Sequence, residues 1–287
     1  MVTLPTLVAV AIDGLAFGAF LALLGVAIAL GFGVCEGLNL AIWVFSVLAV
    51  LIATVILGAG FGLIVAMVVA IVGVAIFGLV VDRTLLSLVY RSEGEERILL
   101  GIFTTLGLTV LLDGLLILRF PSSYTLPLNV PGVRFGGTVV TGSSLVVIAI
   151  VSVVLVVLFA FLRGTYLGKA TRTVFQDEQG AYLVGVNPRR IRTIIFVLSV
   201  TVAALGGLVF AFGRNLGVSS GFTFTVFALI VSIVGGVRSL TGAVAAGVLL
   251  GLVNAFANFF VGSYIAAILL FLTAIVVLLA EPEVLTT

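Results

Sequence analysis

The sequence contains no histidine and a single cysteine, Cys35. One thiol leaves no internal disulfide. The missing imidazoles remove His-ligated metal sites, His proton relays and the Ser/His dyad of an intramembrane serine protease. Charge is scarce as well. Only 8% of the 287 residues are Asp, Glu, Lys or Arg, against 63% hydrophobic, and the mean hydropathy is +1.48. No soluble domain of this size carries that composition, and apolar runs of about 18 residues or more read as bilayer spans. A cleavable signal is a poor reading of Val2–Leu30, which lacks a basic start and runs straight into the spans.

Turn residues and charges divide the apolar sequence into segments at 6–31, 39–57, 61–80, 98–118, 143–162, 191–212, 222–234, 240–261 and 264–280. Most are ~17–25 residues long, enough for a hydrocarbon core of ~30 Å. Phe222–Val234 is shorter than that and stops at Gly235-Gly236, so it reads as a half-helix or re-entrant piece. The expected fold is all-α: one polytopic membrane domain over 1–287, with eight to nine transmembrane or half-membrane helices. Gly14 and Gly18, and again Gly247 and Gly251, form GxxxG pairs, which let helices approach closely in lipid or arise by chance among 34 glycines.

The 13 Lys and Arg residues set the orientation. Arg83, Arg91 and Arg97 fall in the loop 82–97. Arg163, Lys169, Arg172, Arg189, Arg190 and Arg192 fall in the loop 163–192. Cytoplasmic loops are enriched in such residues, so both loops are expected to be cytoplasmic. With nine crossings, the N-terminus lies outside and Glu281–Thr287 inside. The loop 119–142, rich in proline and glycine, is then external.

Within the long loop, Val174, Phe175, Ala181 and Tyr182 recur at i, i+7 and predict one apolar face of a short amphipathic helix. Asp177, Glu178 and Gln179 would face away. Gly185 suits the helix stop, and Asn187-Pro188 suits the cap and first position of the next span. Such a helix reads as a docking element for a soluble partner or as a solvated connector; its length favours docking. The stretch Gly164–Ala170 is not a phosphate loop. It has one residue too few between its glycines and Ala where a magnesium-binding hydroxyl belongs. The chain shows no means of hydrolysing ATP itself.

Polar residues inside the spans are the other candidates. Asp113 interrupts the apolar run 108–118, where a carboxylate costs about 2.5–3.5 kcal/mol at a helix centre. It reads as a pathway or ion-coupling residue, or as a group near the outer interface beside Arg119. Asn39, Asn254 and Asn258 would line a polar pathway or bond neighbouring helices; Asn254 and Asn258 share a helix face. Gly235 through Ala243 joins the half-helix to the next span. Its paired glycines allow a sharp turn, which marks either a substrate route or a plain hairpin.

The linear order of these features resembles the membrane permease of the branched-chain amino acid (Liv-type) ABC importers. Gly235-Gly236-Val237-Arg238-Ser239-Leu240-Thr241-Gly242-Ala243 resembles that family's GGxGSxxGA signature. Glu178–Asn187, with Ala181 and Leu183-Val184-Gly185-Val186-Asn187, looks like its cytoplasmic loop. Gly14-Leu15, Ala22-Leu23 and Leu30–Val34 look like its first span, Gly37–Ala41 like its NxA motif, and Leu106–Thr109 like its IGLS stretch. The likeness covers nearly the whole chain. There are departures: Ile42-Trp43 stand where the family commonly has His-Gly, Arg238 where the signature has Gly, and Asp113 where Gln is common.

The resemblance implies a non-catalytic subunit of the cell (inner) membrane that forms a pathway for branched-chain amino acids or similar small solutes. It implies a second, similar permease, an external solute-binding protein, and ABC ATPase subunits docked on 163–190. The coupling residues would be Val174, Phe175, Asp177, Glu178, Ala181, Leu183, Gly185 and Asn187. The pathway or hinge residues would be Asn39, Asp113, Gly235, Gly236, Ser239, Gly242, Asn254 and Asn258. No cofactor, metal or nucleic acid is expected. Two other readings stand beside it: an ion-coupled secondary transporter using Asp113, and a membrane scaffold without transport.

Overall fold

A computed structural model describes residues 3–35, 39–92, 94–120, 123–128, 130–135, 138–217 and 221–280. Gly37-Leu38 of the NxA stretch and the tail Glu281–Thr287 lie outside the described residues, as does the side chain of Arg119. The chain folds as a helical bundle whose elements track the apolar runs. In order they are α1 (Leu4–Cys35), α2 (Ile42–Gly58), α3 (Leu63–Val81), a π-turn at Asp82–Leu86 continuing into α4 (Ser87–Val89), α5 (Gly94–Arg119), α6 (Gly142–Gly164), α7 (Tyr166–Gln176), α8 (Glu178–Leu183), α9 (Pro188–Phe210), α10 (Gly221–Val234), α11 (Leu240–Val261) and α12 (Ser263–Ala280). Among the described residues, six helices are long and apolar enough to cross a membrane, and three more are apolar but shorter. The half-helix expected at 222–234 is α10, 14 residues long.

α1 and α9 occupy the centre, while α3, α5, α6 and α11 leave most of their side chains on the outside of the bundle. That outer surface is apolar: Ile64, Val68, Val72, Ile76 and Val80 stand exposed along α3, as Val153, Val156 and Val157 do on α6. Lipid accepts such a surface, and water does not.

The two GxxxG motifs pack against each other. α1 and α11 form the most extensive helix pair, running antiparallel. A Cβ at Gly18 would stand 2.9 Å from the Gly247 carbonyl oxygen, one at Gly247 would stand 2.6 Å from Ala22 Cα, and one at Gly251 would collide with the Gly18 backbone. Close backbone approach replaces the hydrophobic effect that lipid cannot supply between helices. Where these helices meet α9, buried hydroxyls join them: Ser199 Oγ donates to the Ala27 carbonyl (2.6 Å), and Ser46 Oγ of α2 donates to that of Ala203 (2.7 Å).

Between α5 and α6 the chain makes a small β-hairpin, Val133–Phe135 with Thr138–Val140. Ser123–Tyr124 pairs antiparallel with Leu216–Gly217 after α9. These strands gather at one end of the bundle, with the start of α6 and the end of α9.

Candidate functional site: an elbow stapled to the bundle

The opposite end of the bundle carries the long basic loop. Thr165 caps α7 by accepting from Gly168 N (3.3 Å), and a Cβ at Gly168 would collide with the Leu162 carbonyl. Glycine therefore lets α7 turn back sharply from α6. Arg172 closes the corner, its Nη2 donating to the Leu162 carbonyl at 3.2 Å.

The single amphipathic helix expected over 174–182 is two helices. Asp177 is extended (φ −155°, ψ 108°) and separates α7 from α8. The break changes which residues face inward. Val174 and Ala181 are buried as expected, but Tyr182, Leu183 and Val184 point out, with Leu183 89% exposed. Asp177 and Gln179 face solvent, whereas Glu178 does not face away with them. Its Oε2 accepts from Arg192 Nη2 on α9 and lies 3.5 Å from Arg97 Nη1 on α5. Both arginines are buried. Arg192 also lies over the Tyr90 ring, its guanidinium carbon 5.6 Å from the centroid. Arg97 Nε donates to the Ser92 carbonyl (2.7 Å).

The stop and restart after α8 follow the sequence closely. Gly185 takes φ +78°. Its N–H bonds the Tyr182 carbonyl (3.1 Å), and Val186 N–H bonds that of Ala181 (2.9 Å). This is the Schellman pattern, which the left-handed glycine makes possible. Asn187 then caps α9 by accepting from Arg190 N, with Pro188 in the first turn.

A second polar knot lies beside the first. Asp82, buried at the foot of α3, accepts from Tyr90 Oη (3.0 Å) and from Thr193 Oγ1 of α9 (2.6 Å). Sequence reasoning passed over Asp82. The signal was there: a carboxylate directly after an apolar span, where an unpaired charge is costly. The two knots place the loops 82–97 and 163–192 at one end of the bundle.

The glycine hinge belongs to the same end. Gly236 takes φ +87°, and a Cβ on Gly235 or Gly242 would collide with the backbone of the other. Ser239 caps α11 by accepting from Gly242 N (3.1 Å). The break between α10 and α11 is therefore tight and glycine-dependent. Arg238, the departure from the signature, reaches across to the elbow and lies over the ring of Phe175, 4.9 Å from its centroid.

The remaining pathway candidates are not gathered in one place. Asn39 is buried at the start of α2, its Oδ1 accepting from Ala41 N (3.0 Å), while Leu40 N bonds Thr105 Oγ1 of α5. Asp113 and Trp43 both close on Gly221; a Cβ there would stand 2.5 Å from Trp43 Cδ1 and 3.3 Å from Asp113 Oδ2. Trp43 is fully buried and stacks on Phe224 (4.4 Å, 12°). Asn254 and Asn258 face a cavity of ≈310 Å³ at the other end, shared with Asp13 and Arg214. Asp13 was also overlooked, although it interrupts an apolar run as Asp113 does.

An apolar bundle with six helices long enough to cross a membrane is the architecture of a polytopic membrane protein. A family model described as "Branched-chain amino acid transport system / permease component" matches residues 10–280, and the chain belongs to that family. Among curated relatives, the high-affinity branched-chain amino acid transport system permease protein BraD of Pseudomonas aeruginosa is 26% identical over 223 residues, covering 74% of this chain and 71% of the relative. LivH of Escherichia coli K12, described in the same words, is 25% identical over 224 residues, covering 74% and 70%. A probable ABC transporter permease protein of the same bacterium, YphD, is 36% identical over 102 residues, covering 33% and 31%. No solved structure matches the chain significantly.

Proposed function

We propose that this chain is one permease subunit of an ATP-driven importer, forming with a second permease a pathway for branched-chain amino acids or similar small solutes. The whole chain acts as one transmembrane domain of the cell (inner) membrane. The elbow α7–α8 faces the cytoplasm and is gripped by separate ABC ATPase subunits, and a solute-binding protein delivers the solute on the strand-bearing face. The charge distribution supports this orientation, since both basic loops share one end. The subunit itself is not catalytic.

The observation that carries the reading is the Glu178 staple. A docking helix that merely rested on the bundle would transmit nothing. Here one carboxylate on α8 ties the elbow to α5 and α9 together, and Phe175 ties it to the hinge through Arg238. Exposed Tyr182, Leu183 and Val184 offer the ATPase an apolar hold. Reversing a 99:1 preference between two states takes about 5.5 kcal/mol of differential binding, and only rigid contact can deliver that. Val174, Ala181, Gly185 and Asn187 shape the elbow; Asp177 marks its bend. Gly235, Gly236, Ser239 and Gly242 form the hinge, and Asn39, Asp113, Asn254 and Asn258 are candidates for the pathway wall.

The test is reconstitution with candidate ATPases, the second permease and the binding protein, followed by uptake with and without ATP. ATP-dependent accumulation supports the reading. Uptake that needs no ATPase subunit and follows an ion gradient would replace it with the ion-coupled alternative through Asp113.

A further inference from the structure

The cavity at the strand-bearing end is lined by opposite charges that are not in direct contact with each other. It measures ≈310 Å³ and is lined by Asp13 and Phe17 of α1, Arg214 after α9, and Asn254, Asn258 and Phe259 of α11. That volume sits at the small end of ligand cavities (~300–1,000 Å³). Asp13 is fixed by Ser144, whose Oγ donates to its Oδ1 at 2.6 Å. Arg214, exposed at the mouth, lies near two aromatic faces, its guanidinium carbon 5.7 Å from the Phe17 centroid and 6.0 Å from that of Phe210. Among the described residues, no salt bridge joins the two.

We infer that this cavity is a receiving site for a zwitterionic amino acid, with Asp13 taking the ammonium group and Arg214 the carboxylate. A neutral sugar or amide would leave both charges unmatched. A simple anion would meet Asp13, and a simple cation would meet Arg214. A zwitterion satisfies both, and each bond is charge-assisted. Asn254 and Asn258, one turn apart on α11, each add a donor and an acceptor. Phe17 and Phe259 receive an apolar side chain. The inference deepens the import reading and rests on it: the permease itself would recognise the solute's two charges as it leaves the binding protein.

The test reads the cavity directly. Cys35→Ala removes the native thiol, and Val10→Cys places a reporter on the cavity wall outside the groups that hold the ligand. In proteoliposomes, leucine is expected to slow maleimide labelling, while 4-methylpentanoate, which lacks the ammonium, and 3-methylbutylamine, which lacks the carboxylate, are not. Adding Asp13→Asn keeps the acceptor for Ser144 and removes only the charge. It should raise the half-protecting leucine concentration about tenfold or more, the loss of one charge-assisted bond. Arg214→Gln should do the same, and Arg214→Lys should retain part of the protection. An unchanged labelling rate without ligand shows that the cavity is intact in each variant. Equal protection by all three compounds, protection by none, or indifference to both charge removals would overturn the inference. The assay uses neither ATP nor an ATPase, so its failure is distinct from failure of ATP-driven uptake.

Discussion

Arg238, in the glycine hinge between α10 and α11, lies over the ring of Phe175 on α7, its guanidinium carbon 4.9 Å from the ring centroid. The hinge and the elbow are thereby in direct contact at the one position where the hinge signature departs from glycine. A cation over an aromatic face contributes about 0.5–1 kcal/mol when exposed and about 2 when desolvated. Arg238→Gly should leave the bundle folded and the ATPase bound. It should weaken the link between elbow and hinge, so that more ATP is hydrolysed per solute imported. Phe175→Leu should reproduce the effect, and the double variant should be no worse than either single one. The ratio of ATP hydrolysis to uptake in proteoliposomes is the measurement; additive losses would mean the two residues act separately.

Glu178 presents one carboxylate oxygen to both Arg97 and Arg192. Glu178→Gln keeps the shape and removes the charge. Its removal takes away the charge that both buried guanidinium groups share, at a cost of about 1–3 kcal/mol given that Glu178 itself is partly exposed. Thermal unfolding in detergent should shift downward, and the ATPase should dissociate more readily because α8 is no longer held in place. A variant as stable and as well coupled as the parent would remove the staple from the mechanism.

The α1–α11 seam predicts a sharp contrast between glycines. Gly251→Val forces a side chain into the Gly18 backbone, whereas a Cβ at Gly58 meets nothing within 4 Å. Overpacking a close seam typically costs about 1–3 kcal/mol and more where backbone opposes backbone. Gly251→Val should sharply reduce the yield of folded protein from membranes; Gly58→Ala should not. Size-exclusion profiles of the two purified variants distinguish them.

These contrasts show what could be read in the residues. The spans were legible because a bilayer demands about 20 apolar residues per helix, and little else in this chain interrupts the runs. The local stop at Gly185 and restart at Asn187-Pro188 were legible because left-handed glycine and N-terminal proline carry their own backbone geometry. The GxxxG motifs marked which faces pack closely but not that they face each other, since pairing is a tertiary choice. The elbow misled. Its i, i+7 pattern assumes a continuous helix, and the extended backbone at Asp177 turned Tyr182 outward and Glu178 inward. Asp13 and Asp82 were legible as carboxylates in or beside apolar runs, but not what they bind across the bundle, because Ser144 and Thr193 are distant in sequence.

Asp113 separates import by ATP from import by an ion gradient. It sits with Trp43 against Gly221, and its Oδ1 is buried without a hydrogen-bond partner among the described residues. An ion-coupling carboxylate must be able to change charge, so Asp113→Asn would abolish uptake in such a transporter. In an ATP-driven permease the same change replaces one polar wall group with another of equal size. ATP-dependent uptake by Asp113→Asn should remain within about threefold of the parent, a difference of well under 1 kcal/mol in barrier. Collapsing the proton or sodium gradient should leave both unaffected.

The apolar tip of the elbow makes the most direct prediction about the partner. Leu183 is 89% exposed beside Tyr182 and Val184, and none of the three is needed to bury α8, which Ala181 and Val186 do from the other side. A partner that covers such a patch gains about 25 cal/mol for each Å² of apolar surface removed from water. Leu183→Asp places a charge in that contact while leaving the Schellman turn intact, because the turn uses only the backbone carbonyls of Ala181 and Tyr182. The variant should unfold at the parent's temperature yet fail to retain the ATPase during co-purification, and uptake should fall with it. Retention of the ATPase by Leu183→Asp, with uptake unchanged, would move the docking surface away from α8. The cleft between Arg83, Arg189 and Arg190 next to it would then be the surface to alter.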